Sequence, residues 1–88
     1  MQKITMFTLK RCPYCAQALG FISTLKNGDS RYSSLEIENI DEDEFPDISA
    51  KYDYYYVPTF YVGGKKQHEG AATLDKVRRV FEAALAEE

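Results

Sequence analysis

Two cysteines set at the junction of two incompatible periodicities constrain this chain most. Ile4-Thr5-Met6-Phe7-Thr8-Leu9 is a short, mostly apolar run of the kind that forms a strand buried on both faces. After it the period changes. Ala18, Leu19, Ile22 and Leu25 recur at helical spacing, and Asn27-Gly28 reads as a helix stop. Pro13 suits the first helical position, where its missing N–H costs nothing. Cys12 therefore falls at the mouth of a helix that directly follows a strand, and Cys15 lies about one turn further on the same face.

That position dictates chemistry. Unpaired N–H groups and the helix dipole place partial positive charge at the helix start, and Lys10 and Arg11 add full charges nearby. Thiols in such settings fall from a pKa of about 8.5 to about 3.5–7.5. Cys12 is therefore expected to be a thiolate nucleophile that attacks a disulfide sulfur and forms a mixed disulfide. Cys15, less exposed and further from the dipole, would attack Cys12 from inside and release the reduced substrate.

The competing use of a CxxC pair is a metal site. A zinc site needs about four ligands. The 88 residues hold two cysteines and one histidine, His68. No complete Cys/His site can be built within one chain, and only a site shared between two copies would satisfy the count. No metal is expected.

The rest of the chain reads as one domain over residues 1–88. Tyr32 to Ile40 alternates Leu35 and Ile37 with Glu36 and Glu38 and is expected to be a second strand. Strand, helix and strand of this length form a βαβ unit with parallel pairing. The acidic run Asp41 to Glu44 reads as a solvated cap before a short helix with Pro46 in its first turn and Phe45, Ile48 and Tyr52 as apolar positions. Val57-Pro58-Thr59-Phe60-Tyr61-Val62 is a third strand, Gly63-Gly64 a hairpin turn, and Lys65 to Glu69 a fourth strand. Thr73 is a plausible N-cap, and Leu74, Val77, Phe81 and Leu85 form one apolar face. The expected fold is α/β, in the order β-α-β-α-β-β-α, with a four-stranded mixed sheet flanked by helices. His68 is expected to be a solvated strand-end residue. Tyr52 is expected on the core face of its helix. Tyr54, Tyr55 and Tyr56 divide evenly between strand propensity and a lip that receives a protein.

Charge and hydropathy exclude several classes. Eleven basic against fourteen acidic residues give −3, the opposite of the basic footprint that nucleic acid or an anionic membrane demands. No apolar run approaches the ~18 residues of a membrane span, and the first residues lack the apolar core of a signal peptide. The expected location is the cytoplasm, where a CxxC is normally reduced.

Cys12-Pro13-Tyr14-Cys15 after a first strand resembles the motif of the dithiol glutaredoxins, within the thioredoxin superfamily. Val57-Pro58 resembles that superfamily's cis-proline loop, and Gly63-Gly64 with Gly70 resembles its closing hairpin. The resemblance covers essentially the whole chain in length and element order and implies a thioredoxin-like fold. It implies Cys12 as nucleophile, Cys15 as resolving thiol, and Pro58 as a cis residue facing the sulfurs. It also implies a Val57 backbone that pairs with substrate as an added strand. Substrates would be proteins carrying disulfides or glutathione-mixed disulfides, and the chain is expected to be a monomer.

Of the family's glutathione contacts, Lys10, Tyr14 and Val57 match, and Thr73 is the remaining candidate contact. The segment Gly70-Ala71-Ala72-Thr73-Leu74-Asp75 departs from the pattern. It has alanine for a second glycine and leucine where an acid is expected, and Asp75 comes one position late, a rotation of about 100° on a helix. Glutathione is therefore expected to be a poor co-substrate, with no tightly bound cofactor. Val57 to Phe60 and the preceding Asp47 to Tyr52 look more like thioredoxins, although the chain has no Trp and no acid in its first strand to serve as a buried base. The electron donor is left between glutathione and a thioredoxin-reductase-like flavoprotein. Two other functions compete: an iron–sulfur cluster held between two copies through the first cysteine and glutathione, and a redox-inert interaction module.

Overall fold

The computed structural model describes residues 2–86. Strand β1 (Ile4–Thr8) lies inside a four-stranded sheet of order β2-β1-β3-β4. Strand β2 (Ile37–Asp41) runs parallel to β1, while β3 (Thr59–Val62) pairs antiparallel with β1 and with β4 (Lys65–Glu69). The β3–β4 connection is Gly63-Gly64, with φ of 58° and 84°. A two-residue hairpin whose twist matches its strands needs positive φ at both positions, which glycine supplies without strain.

The two faces of the sheet are covered differently. On one, Ile4, Met6, Phe60 and Val62 form the main core with Ala18, Ile22 and Leu25 of α1 (Pro13–Gly28). Helix α4 (Leu74–Ala86) completes that core with Val77, Val80, Phe81 and Ala84. Those four recur at intervals of three, one and three residues, one stripe of a helix. Burying a ring such as that of Phe81 contributes about 1.5–3 kcal/mol.

On the opposite face Phe7, Ile40 and Tyr61 form a second cluster, closed by Tyr52, Tyr54 and Val57. Helix α3 (Pro46–Ser49) is a single turn with no buried residue. Phe45 and Ile48, expected as its apolar positions, are exposed. Tyr52 lies past the end of α3 but does reach the core, its ring centroid 4.6 Å from that of Phe7.

The α/β class and the mixed sheet are those expected, with the thioredoxin-like order, but three further local readings change. The second strand does not begin at Tyr32. Ser30–Ser33 form a helical turn, α2, whose N-cap Asp29 accepts the Arg31 N–H at 2.9 Å. Tyr32 and Leu35, both 2 % exposed, are three residues apart, which is the interval of that turn rather than of a strand. The third strand starts at Thr59, because Pro58 has no N–H for the ladder. Leu19, counted with the helix's apolar stripe, is exposed.

Candidate active site

Cys12 is the N-cap of α1. Its backbone is extended (φ −97°, ψ 109°), Pro13 takes the first helical position, and the sulfur accepts the Cys15 N–H at 3.2 Å. The residue before it, Arg11, has a φ of 64°. A side chain in that left-handed region costs on the order of 1–2 kcal/mol, so the turn that delivers Cys12 is strained and must be held from outside.

The two thiols are free and unequal. Cys12 is half-buried, while Cys15 is 3 % exposed. Burial, above all, pushes the Cys15 thiol up to about 12, and its hydrogen bond with Cys12 and the nearby Glu42 carboxylate add to the rise.

Across from Cys12 stands the cis Val57-Pro58 peptide, with the Val57 carbonyl oxygen 4.0 Å from Sγ. Pro58 is buried and its own carbonyl accepts the Gly70 N–H at 2.8 Å, which ties the loop to the end of β4. Glu69 fixes the same loop more firmly. Its carboxylate accepts the N–H groups of Tyr55 (2.6 Å) and Tyr56 (2.9 Å) and pairs with Lys66 at 2.7 Å. The Lys66 hydrogen bond, then the two backbone donors, hold this acid down at about 2. Tyr55 and Tyr56 are exposed, whereas the Tyr54 ring stacks on Phe7 at 4.9 Å and its hydroxyl donates to Glu42 at 2.6 Å. Of the three tyrosines, one is core and two are surface.

On the other side of the cysteines a cleft of about 420 Å³ opens, lined by Cys12, Cys15, Leu19, Asn39, Asp41 and Phe45 among others. Here the acidic run is more than a solvated cap. Asp41 accepts three backbone N–H groups, those of Asp43 (2.9 Å), Glu44 (3.2 Å) and Lys10 (3.1 Å).

The structure thus brings Cys12, Cys15, Val57 and Pro58 together. Lys10 lies on the rim of the cleft, its ammonium 3.0 Å from Glu44. Tyr14 is exposed in the first turn of α1. Thr73 does not line the cleft; its hydroxyl accepts the Lys76 N–H at 3.1 Å and caps α4, the local role expected of it. Leu74 packs against the main core, and Asp75 pairs with Arg79 at 3.0 Å and Arg78 at 3.5 Å. His68, expected in solvent, is half-buried. Its Nε2 lies 3.1 and 3.0 Å from the carbonyls of Gly70 and Ala71. Carbonyls only accept, so Nε2 carries the proton and donates.

Asp41 and Glu42, which read in sequence only as part of a solvated cap, and Glu69, which reads only as a strand end, hold the loops around the site. An acid at the end of a strand and before polar turn residues is an Asx-turn signal, so the role of Asp41 is legible in the sequence. Nothing local marks Glu69. Among the described residues no group of three or more His, Cys, Asp or Glu could hold a metal ion, and no helix is long and apolar enough to cross a membrane.

Comparison with known proteins agrees with this geometry. The glutaredoxin family profile matches residues 4–67. The structure is similar to oxidised thioredoxin from Plasmodium falciparum (TM-score 0.73, 20% identity), covering 97% of this chain and 82% of that one. It is similar to Fasciola hepatica thioredoxin (TM-score 0.71, 20% identity, 94% and 80%). A protein disulfide oxidoreductase from Aeropyrum pernix superposes with a TM-score of 0.70 at 23% identity over 98% of this chain, which spans 38% of that longer protein. These likenesses show a thioredoxin-like fold. No curated protein sequence matches the chain. The family match spans the cysteine pair, the cis-proline loop and all four strands but the end of the last, and the chain belongs to the glutaredoxin family.

Proposed function

We propose that this protein reduces disulfides in other proteins by dithiol exchange, with Cys12 as nucleophile and Cys15 as resolving thiol. One observation carries the reading: a half-buried sulfur at a helix head accepts the N–H of a second cysteine that is itself buried beneath it. Backbone N–H groups at a helix head favour an anion in that position, including the one that forms as a sulfur attacks. It attacks one sulfur of the substrate disulfide, the other sulfur leaves with the electron pair, and a mixed disulfide forms. Cys15 then gives its proton to water and attacks Cys12 Sγ, which breaks the mixed disulfide. The second substrate sulfur leaves as thiolate. Two electrons have passed to the substrate, and the protein is left with a Cys12–Cys15 disulfide. The Val57 carbonyl beside Cys12 offers the incoming backbone an acceptor, with the disulfide aligned above Sγ.

The donor that restores the dithiol is, on this reading, not chiefly glutathione. Its ammonium and carboxylate need free polar groups beyond the cis-proline loop. Leu74 is packed into the core there, the Asp75 carboxylate is taken by two arginines, and the Thr73 hydroxyl by a helix amide. A flavoprotein reductase of the thioredoxin-reductase kind remains as donor.

The test has two parts. Cys15→Ser should trap a mixed disulfide with a protein substrate, and Cys12→Ser should trap none. A Cys15→Ser protein that captures nothing removes the assigned roles. In coupled assays, thioredoxin reductase should sustain turnover well above that seen with glutathione and its reductase. Efficient turnover at millimolar glutathione would overturn the donor assignment alone.

A further inference from the structure

We propose that Asp41 is a positioning residue for Cys12: by accepting the Lys10 N–H, its carboxylate holds the turn that sets the nucleophilic sulfur at the head of α1. The inference rests on the reading of Cys12 as nucleophile.

The argument starts from strain. Between the end of β1 at Thr8 and the start of α1 at Pro13 the chain must reverse within four residues, and it does so through Arg11 in the left-handed region. Such a conformation persists only where its surroundings over-determine it. The end of β2 and the residue after it supply that constraint at two adjacent points. The Glu42 N–H donates to the Thr8 carbonyl at 2.9 Å, which continues the β1–β2 register by one residue. Asp41 Oδ2 then takes the Lys10 N–H at 3.1 Å, one residue before Arg11 and two before Cys12.

The carboxylate is itself rigid. Its other oxygen, Oδ1, accepts the N–H groups of Asp43 and Glu44, closing a turn on its own loop. Asp41 is therefore a bridge with two ends, one oxygen serving its own loop and the other serving the cysteine turn. A bond between a charged acceptor and a backbone donor is about twice as strong as a neutral one. The Lys10–Glu44 ion pair spans the same two segments but is largely exposed and weak.

The two oxygens suggest a substitution that separates the roles. In Asp41→Asn the remaining carbonyl oxygen can keep the turn to Asp43 and Glu44. The amide nitrogen then faces the Lys10 N–H donor to donor, so the tie to the cysteine turn is lost while the loop survives. Charge alone predicts the opposite effect, because removing an anion near a thiolate nucleophile should speed it.

The experiment measures alkylation by iodoacetamide of Cys12 in a Cys15→Ser background and of Cys15 in a Cys12→Ser background, with and without Asp41→Asn, from pH 6 to the high-pH plateau. Positioning predicts that Cys12 slows about tenfold at neutral pH and stays slower at the plateau, below the ~10²-fold that a 1 Å misplacement can cost, while Cys15 stays protected. A Cys12 rate that is unchanged or faster overturns the proposal. A faster Cys15 also overturns it, since that marks general loosening. Should Asp41→Asn fail to fold, Asp41→Ser, which keeps one oxygen for the loop turn, is read by the same criteria. If wild-type Cys12 is no faster than Cys15, the functional reading itself fails, an outcome distinct from these.

Discussion

Two segments face each other across the Cys12 sulfur, and they are held in place by the same device applied over different distances. The cysteine turn is pinned by Asp41 through one N–H, at Lys10. The tyrosine loop is pinned by Glu69 through two, at Tyr55 and Tyr56. In each case a carboxylate at the last position of a strand, β2 or β4, satisfies backbone donors that no ladder can reach. The cysteine turn has a helix behind it, and its geometry is partly written in the local sequence. The tyrosine loop has only a one-turn helix before it, so its shape depends on an aromatic floor and on a residue 13–14 positions away.

The largest difference between the two sides should appear in chemistry. Cys12→Ser should abolish disulfide reduction, a loss of more than about 10³-fold because no other group supplies the nucleophile. No single change in the tyrosine loop should lower turnover as far. Steady-state reduction of a protein disulfide by each variant checks this, and a loop variant as dead as Cys12→Ser would erase the distinction.

For stability the ranking should reverse. Phe7 is fully buried, and its ring meets Tyr54 at 4.9 Å, Tyr52 at 4.6 Å and Tyr61 at 6.0 Å, so it is the floor of the tyrosine loop. Phe7→Ala should cost about 3–5 kcal/mol in urea denaturation. It should also loosen the loop before the cysteines, seen as earlier proteolysis after Tyr55 or Tyr56. Leu19→Ala, on the exposed rim of the cysteine side, should be nearly neutral.

A smaller effect tests the Glu69 pin by pH. Glu69 is held at about 2, below the 4.5 of a free carboxyl. A folded value below the unfolded one means the acid's contribution is whole above pH 4.5 and fades as pH falls toward 2. The loop should therefore loosen over that interval, read by amide exchange at Tyr55 and Tyr56. Glu69→Gln should give the acid-loosened loop at neutral pH, with a melting temperature a few degrees lower. If exchange at these two amides is flat from pH 5 to 2 after correction for its intrinsic rate, Glu69 is not the pin.

The same contrast explains what could be read from the letters alone. Pro13, the change of period after Leu9 and the cysteine spacing are local signals, and they placed Cys12 at the helix head. Thr73 as a cap and Gly63-Gly64 as a turn are likewise contained within a few residues. The start of β2 is not legible locally, because Tyr32 and Leu35 satisfy a helical turn as well as a strand edge, and the Asp29 side chain selects the turn. Glu69, Glu42 and the division of the tyrosines were out of reach, since each depends on a partner brought near by the sheet: Tyr55 for Glu69, Tyr54 for Glu42, Phe7 for Tyr54.

The smallest effect lies where the two sides touch. Glu42 follows β2 on the cysteine side, yet its carboxylate accepts the Tyr54 hydroxyl of the other side. Burial and that acid keep the Tyr54 phenol protonated well above its ordinary value, so the hydroxyl remains a donor throughout the working range. The charge of Glu42 also acts on Cys15, raising its thiol further after burial and the bond to Cys12 have done most. When Cys12 is tied up in a mixed disulfide, Glu42 is the nearby anion that opposes ionisation of Cys15. Glu42→Gln keeps an oxygen for Tyr54 and removes only the charge. Because that charge acts on Cys15 less than burial and the bond to Cys12 do, resolution of the mixed disulfide should quicken by only a few fold, measured by stopped-flow release of the second substrate thiol. A slower release would mean that Glu42 receives the Cys15 proton. In that case the acid absent from the first strand would have been supplied by the turn after the second, with the tyrosine loop holding it in place.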